Sequence, residues 1–442
     1  MTGSPRPPTA SSHREARKIA VASFVGTSIE WYDFFLYGAA AALVFGPQFF
    51  PSDNALASQL AALSTFTVGF IARPLGGIIA GHLGDRVLGR KQMLVVSLLV
   101  MGGATVLVGL LPNYAQIGIA APVLLVLLRL AQGLGVGAEW GGAALMAVEH
   151  APEGRRGLYG AAPQLGVPAG AIAANLVMLG ASTMTAEAFA QWGWRLGFLA
   201  SVVLIGVGYV IRRRVSESPL FEEERRKPEQ REGAAPVRSV PLVEVLRHHP
   251  LGVVRAMFAT AASTGLGYIV LVYTLSYGTT ELSYSRDALL TVVTLASGVQ
   301  LAAILGWSAL SDRLGRRRVF IGGGLAQIVL ALLFFPMFDT ESLAWAMAAC
   351  TLAVIVVSAQ YGPLSALLSE LFPTRVRYSG ISTGYQLGNV IGGGLAPIVA
   401  TALFAAQGGS FAVGLYLAGM ALLATLAVLL TPETSARDLR RV

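Results

Sequence analysis

Cysteine is nearly missing from this chain. Cys350 is the single one among 442 residues, and it lies inside an apolar run. That excludes an internal disulfide framework and a cysteine-built metal cluster. The five histidines, His13, His82, His150, His248 and His249, fall near predicted loops without metal-ligand spacing. Charge is scarce too. Asp, Glu, Lys and Arg make 13% of the residues, about half the share in soluble proteins. A soluble domain of this length could not cover its surface with so little charge. No Ser/His/Asp constellation, metal-ligand cluster or nucleotide loop is visible, so neither an enzyme nor a cofactor or metal is expected. A secretory signal is lacking as well. Residues 1–18 are polar and rich in Pro, Ser and Arg, which reads as a disordered cytoplasmic tail.

What fills the chain is apolar. Hydrophobic residues make 54% of it. A membrane-spanning helix needs about 20 residues. Twelve runs meet that need: 19–46, 57–83, 92–111, 118–148, 156–180, 192–213, 250–278, 287–310, 318–337, 342–368, 378–405 and 409–430. The expected fold class is all-α integral membrane, with 12 transmembrane helices in two pseudo-symmetric six-helix bundles. Lysine and arginine crowd one set of loops, among them Arg14, Arg17, Lys18, Arg86, Arg90, Lys91, Arg155, Arg156, Arg212, Arg213, Arg313, Arg316, Arg375 and Arg437. Arg286 is the clear exception on the other side. The asymmetry predicts that both termini are cytoplasmic. The net charge of +8 is then a topology signal, and the expected surroundings are a lipid bilayer, with no nucleic-acid partner. The predicted domains are a tail 1–18, an amino-terminal bundle 19–213, a charged linker 214–249, a carboxy-terminal bundle 250–430 and a tail 431–442.

Two phrases occur twice. Gly84-Asp85-Arg86-Val87-Leu88-Gly89-Arg90 returns as Ser311-Asp312-Arg313-Leu314-Gly315-Arg316, and Glu149…Pro152…Arg156 returns as Glu370…Pro373…Arg377. A duplicated apolar chain with matched basic loops implies alternating access to a central site. The paired phrases resemble the signatures of the major facilitator superfamily. They read as a cytoplasmic gate of Asp85, Arg86, Arg90, Glu149 and Arg156 in one half and Asp312, Arg313, Arg316, Glu370 and Arg377 in the other. Asp85 would cap a helix of the other half, and Arg90 or Arg156 would pair with Glu149. The first loop carries one residue more between Arg86 and Gly89 than the usual pattern, which bears on Arg90.

A narrower resemblance rests on Gly26-Thr27-Ser28-Ile29-Glu30-Trp31-Tyr32-Asp33-Phe34, Phe70-Ile71-Ala72-Arg73-Pro74-Leu75-Gly76-Gly77 and Arg129-Leu130-Ala131-Gln132-Gly133 with Glu139. Together with Ser369-Glu370-Leu371-Phe372-Pro373-Thr374-Arg375 these are similar to the metabolite:proton symporter branch of that superfamily. The resemblance implies carriage of a small acid such as shikimate, α-ketoglutarate or citrate, or of proline or betaine. The Arg and Glu that shikimate-type relatives often have early in the seventh helix are replaced by Thr260-Ala261-Ala262-Ser263.

Ionisable groups inside a membrane cost roughly 2.5–3.5 kcal/mol each on insertion scales and are functional candidates by default. Five lie well inside spans: Glu30, Asp33, Arg73, Arg129 and Glu139. Glu30 and Asp33 share a helix face. Three carboxylates against two guanidiniums leave one negative charge over, which a proton would relieve. Asp33, then Glu30, with Glu139, are the expected proton-coupling residues. A permanent salt-bridge cluster with Arg73 and Arg129 is the structural alternative. Arg129 with Gln132 reads as a clamp for a substrate carboxylate or, equally, as a proton relay. Arg73, Tyr37, Tyr268, Tyr385, Gln386 and Asn389 complete the expected substrate site. Tyr273, Tyr277, Gln300, Gln360 and Tyr361 are further polar or aromatic groups of the second half. Gly137-x-x-x-Gly141, Gly166-x-x-x-Gly170 and Gly384-x-x-x-Gly388-x-x-x-Gly392 read as helix contacts.

The expected function is proton-coupled import of a small organic acid or similar polar metabolite across a bacterial cytoplasmic membrane. The proton would be the coupling ion, the partner would be the small molecule, and no obligate protein partner is evident. An osmolyte symporter, a proton-driven drug antiporter and a non-transporting sensor stay open.

Overall fold

The computed structural model describes residues 10–86, 88–181, 184–213, 241–435 and 437. We number the long helices α1 (Ala10–Ala40), α2 (Ala55–Arg86), α3 (Arg90–Leu110), α4 (Ala120–Glu149), α5 (Arg156–Ala181), α6 (Phe189–Arg213), α7 (Pro250–Thr280), α8 (Arg286–Leu314), α9 (Arg316–Phe338), α10 (Leu343–Ser369), α11 (Thr374–Gln407) and α12 (Phe411–Leu429). Among the described residues, ten of these are long and apolar enough to cross a membrane. The remaining two, α1 and α2, have the length but carry Glu30 and Asp33 on one and Arg73 on the other. No strand occurs among the described residues.

α1 begins at Ala10, ahead of the predicted start at 19, so the stretch up to Lys18 expected to be disordered is helical from Ala10. Alanine, arginine, glutamate and lysine favour helix, and Lys18 pairs with Glu15 one turn away at 3.6 Å. The linker ends in a short helix, Pro241–His248, that buries Val245 and pairs Glu244 with Arg375. Residues 1–9, 214–240, 436 and 438–442 of the predicted tails and linker lie outside the described residues.

The sequence repeat becomes a repeat of packing. α1 packs on α5 as α7 packs on α11, and α2 on α4 as α8 on α10. α3 packs on α4 and α6 as α9 packs on α10 and α12. The halves meet along α2–α11 and α5–α8, which are twins of each other. The duplicated loops share one backbone requirement. Gly89 (φ 82°, ψ 168°) opens α3 and Gly315 (φ 96°, ψ 153°) opens α9, in a region essentially reserved for glycine. Gly137 brings α4 against α2, for a Cβ there would fall on the Arg73 carbonyl. The outer faces of α3, α6, α9 and α12 expose Leu107, Val203, Val329 and Leu422. Helices with such an apolar belt are at home in lipid.

Candidate functional site

The ionisable residues inside the spans converge within the amino-terminal half. Glu30, Asp33, Arg73, Arg129 and Gln132 line one small cavity between α1, α2 and α4, closed by Met101 of α3. Asp33 accepts hydrogen bonds from Thr105 Oγ1 at 2.8 Å and Ser201 Oγ at 2.7 Å. Gln132 Nε2 donates to Thr105 Oγ1 at 2.8 Å, and Arg129 Nη1 donates to Gln132 Oε1 at 3.2 Å. A chain therefore runs from Arg129 through Gln132 and Thr105 to Asp33 and Ser201. Tyr37 lies under the Arg129 guanidinium at 4.0 Å and shares a hydrogen bond with Thr65 at 2.7 Å, so it supports the arginine by stacking. Arg73 packs on the ring faces of Trp31, Phe34 and Phe70 at 5.5, 4.8 and 4.7 Å. Among the described residues, Glu30 Oε2 meets no hydrogen-bond partner. The described ion pairs do not include one between Glu30 or Asp33 and Arg73 or Arg129.

The charge count differs from the one drawn from the sequence. Glu139 is fully buried and ion-paired with Arg212, which also donates to the Leu94 carbonyl. The sequence groups Arg212 with the basic loops. The structure turns its side chain inward from the last turn of α6 and leaves it 3% exposed. A long stem at a span's end can reach either way, and the buried carboxylate decides the direction. Three buried carboxylates thus face three buried guanidiniums, and the inferred surplus negative charge disappears.

A second cavity lies between the halves. Trp31, Phe35 and Val167 line it from one side, and Ser263, Thr264, Tyr268, Gln300 and Tyr361 from the other. Trp31 Nε1, Tyr268 Oη and Gln300 Oε1 have no hydrogen-bond partner among the described residues. Buried polar atoms are rarely left so, and three of them stand around this one cavity. Ser263, Thr264 and Trp31 received no role from the sequence. Their one signal is a polar edge in otherwise apolar helices. An aromatic screen of Trp31, Phe34, Phe70 and Tyr268, with ring centroids 5.8–5.9 Å from Tyr268, divides this cavity from the charged one. Arg129 and Gln132 lie on the charged side. Arg73 packs against the screen itself.

Tyr385 and Gln386 do not line the central cavity. Tyr385 lies flat on Trp140 at 3.4 Å with the rings 2° apart. Gln386 Nε2 donates to the Gly137 carbonyl at 3.1 Å, and Tyr378 Oη to the Ala138 carbonyl at 2.6 Å. These residues form the seam between α11 and α4. Helical spacing shows which residues share a face but not which neighbour that face meets. Asn389 is buried, and both its amide atoms lack partners among the described residues. π-helical turns follow Tyr268 and Asn389 directly, at Ile269–Tyr273 and Val390–Leu395, a distortion frequent at functional positions.

At the end that bears the basic loops the halves are bonded together. Asp312 accepts the backbone N–H groups of Gly157 and Leu158 at 2.8 and 2.9 Å, so it caps α5 of the other half. Arg377 pairs with Glu149 at 3.0 Å, both side chains fully buried. Arg316 holds Asp312 at 2.7 Å and Glu370 at 3.6 Å. Arg156 donates to the Arg437 carbonyl at 2.6 Å. The segment after α12 joins in. Thr434 donates to Glu370 at 2.6 Å, and Glu433 accepts the Arg316 and Arg317 N–H groups at 2.9 and 3.1 Å. Arg313 is exposed and stands apart. The side chains of Asp85, Arg86 and Arg90 lie outside the described ones. A helix cap of the kind expected of Asp85 is seen at its counterpart Asp312, and Glu149 is paired with Arg377, while the expected pairing of Glu149 with Arg90 falls outside the described side chains.

A profile of the sugar (and other) transporter family matches residues 18–442. The inner membrane metabolite transport protein YhjE of Escherichia coli is 42% identical over 431 residues, covering 96% of this chain and 95% of that protein. The shikimate transporter of Escherichia coli is 39% identical over 422 residues, covering 95% of each. The proton:xylose symporter XylE, solved with 6-bromo-6-deoxy-D-glucose, shares the fold at a TM-score of 0.77 and 18% identity, covering 97% of this chain and 98% of that one. Twinned six-helix halves about a central cavity define a multi-pass membrane transporter of the major facilitator type. The chain belongs to the sugar (and other) transporter family of that superfamily, in its metabolite:proton symporter branch. Its relatives are transporters, not enzymes.

Proposed function

We propose that this protein imports a small organic acid, or a similarly polar metabolite, together with a proton. It would do so by alternating access in a bacterial cytoplasmic membrane, with both termini in the cytoplasm. One observation carries the reading. Glu30, Asp33 and Glu139 balance Arg73, Arg129 and Arg212 in a buried cluster. One added proton makes that cluster positive. A carboxylate in the neighbouring cavity makes the sum neutral again. Net charge in a low-dielectric interior is costly, so each binding event favours the other, and the favour is reciprocal.

Asp33 is the proposed carrier. Its donors are the hydroxyls of Thr105 and Ser201, which reorient to serve either protonation state. The chain through Thr105 and Gln132 links that change to Arg129. Arg73 would supply the positive charge nearest the cargo, while Ser263, Thr264, Gln300 and Tyr361 would meet its hydroxyl groups. The names of the two relatives, for metabolite and shikimate transport, support a small polar cargo. A cationic cargo fits less well, because Arg73 already occupies the aromatic faces that would take it.

The test is uptake into proteoliposomes under an inward proton gradient. The panel holds shikimate, α-ketoglutarate, lactate, proline and betaine. An acid should accumulate, and Asp33→Asn should abolish its accumulation. Uphill accumulation that persists in Asp33→Asn removes the carrier assignment. A cationic dye expelled in exchange for protons, with no acid moved, replaces symport by antiport.

A further inference from the structure

The amino-terminal half holds another cavity that the transport reading does not use. It lies nearer the basic loops and is lined by Ile19, Ala22, Ser23, Leu94, Ala143 and Met146, with Lys91 and Arg212. Lys91, which lines the cavity, is itself partly exposed on the basic face. It stands in file with the charged cavity above it. On α1, Glu30 lines the upper cavity and Ser23 the lower. Seven residues of helix separate them, about 10 Å of rise. On α4, Val136 lines the upper and Ala143 the lower, and Glu139 lies between them. Arg212 bridges the gap, since it lines the lower cavity and pairs with Glu139. Gly26 of α1 faces this pair, and a Cβ there would collide with Arg212. The α1 backbone is thus pared away where the pair sits.

We propose that the proton leaves through the amino-terminal half itself, from Asp33 and Glu30 across the Glu139–Arg212 pair into the lower cavity, and not along the substrate's route between the halves. The proposal rests on the proton-coupled reading above and adds the exit to it. Glu30 is the first acceptor. Its Oε2 has no hydrogen-bond partner among the described residues, and Glu139, Arg73, Arg212 and Asp33 all lie close enough to act on it electrostatically. Each transfer breaks one carboxyl O–H bond and forms another. The last transfer, from Glu139, protonates water that enters past Arg212 from the lower cavity, whose lining ends at Arg212. Arg212 keeps its charge throughout and holds Glu139 as a carboxylate that passes the proton on rather than storing it. Coupling requires this path to conduct only when the halves have parted at the basic end, because an exit standing open to the empty carrier would leak protons without cargo. Loss of the cargo discharges the carrier.

The path predicts a separation that a shared route forbids. Filling the lower cavity should stop proton release and leave substrate movement alone. Ser23→Leu and Ala143→Val fill it, and Ser23→Ala removes the hydroxyl without filling. The probe is the panel acid that accumulates in the wild type, in vesicles containing a pH dye. In both filled variants, substrate-coupled proton flux should fall about tenfold, while exchange of labelled for unlabelled acid stays within about twofold. Ser23→Ala should keep both. Flux that survives in both filled variants overturns the path, and so does exchange that falls in step with flux. If Ser23→Leu does not fold, Ala143→Val decides. A wild type that exchanges acid with no proton flux removes the symport reading, and the path with it.

Discussion

Glu433 follows α12 and lies against the start of α9. Burial pushes its carboxyl up, but the N–H groups of Ser435, Arg316 and Arg317 pull it further down, to a net value below the ordinary carboxylate range. A carboxylate lowered on folding stabilises the fold fully above its unfolded pKa, and that contribution fades as pH falls through the folded value. Glu433→Gln should therefore melt earlier than wild type at neutral pH in detergent, and the gap should close as pH drops below about 4. A gap that stays constant with pH would deny Glu433 this role. Charges in mid-span were legible in the sequence because an apolar run offers no other reason for them. Arg212 was not, because at the edge of a span only packing decides which way a long side chain turns. Ser263 and Thr264 were not, because a hydroxyl on an apolar helix looks the same whether it faces a ligand or bonds its own backbone, as Ser263 does to the Thr260 carbonyl at 3.0 Å.

At the scale of elements, the duplicated loops depend on one backbone conformation. Gly315 turns α8 into α9 at φ 96°, and the Glu433 carboxylate lies where a Cβ would go. Gly315→Ala should cost about 1–3 kcal/mol and lower the melting temperature, whereas Gly322→Ala on α9, where a Cβ meets nothing, should not. Equal melting of the two variants would contradict the strain. The long apolar runs gave α3 to α12 to within a few residues, since length and hydropathy are what a bilayer selects. The early start of α1 was not legible because polarity marks the edge of the membrane and not the edge of a helix.

For the whole molecule, the question is what keeps the two halves together at the basic end. The Arg377–Glu149 pair crosses between them with both side chains fully buried. Removing one partner of a buried pair costs about 3–5 kcal/mol. Glu149→Gln should shift the molecule toward separation at that end. Spin labels on the loops before α5 and before α11 should then show a longer distance in a larger fraction of molecules. An unchanged distance distribution would mean that the pair does not hold the gate. The repeat made the two halves and their matched gate phrases legible. It did not show which residues of α11 face α4 and which face the cargo, because that depends on how the halves meet.

The stack of Trp140 on Tyr385 bridges that meeting line. An indole shielded by a flat neighbour emits differently once the neighbour departs and water enters. The six tryptophans of this chain include one whose brightness and colour should follow the separation of the halves. The unlabelled protein thus carries its own optical gauge, and single turnovers could be timed by light alone.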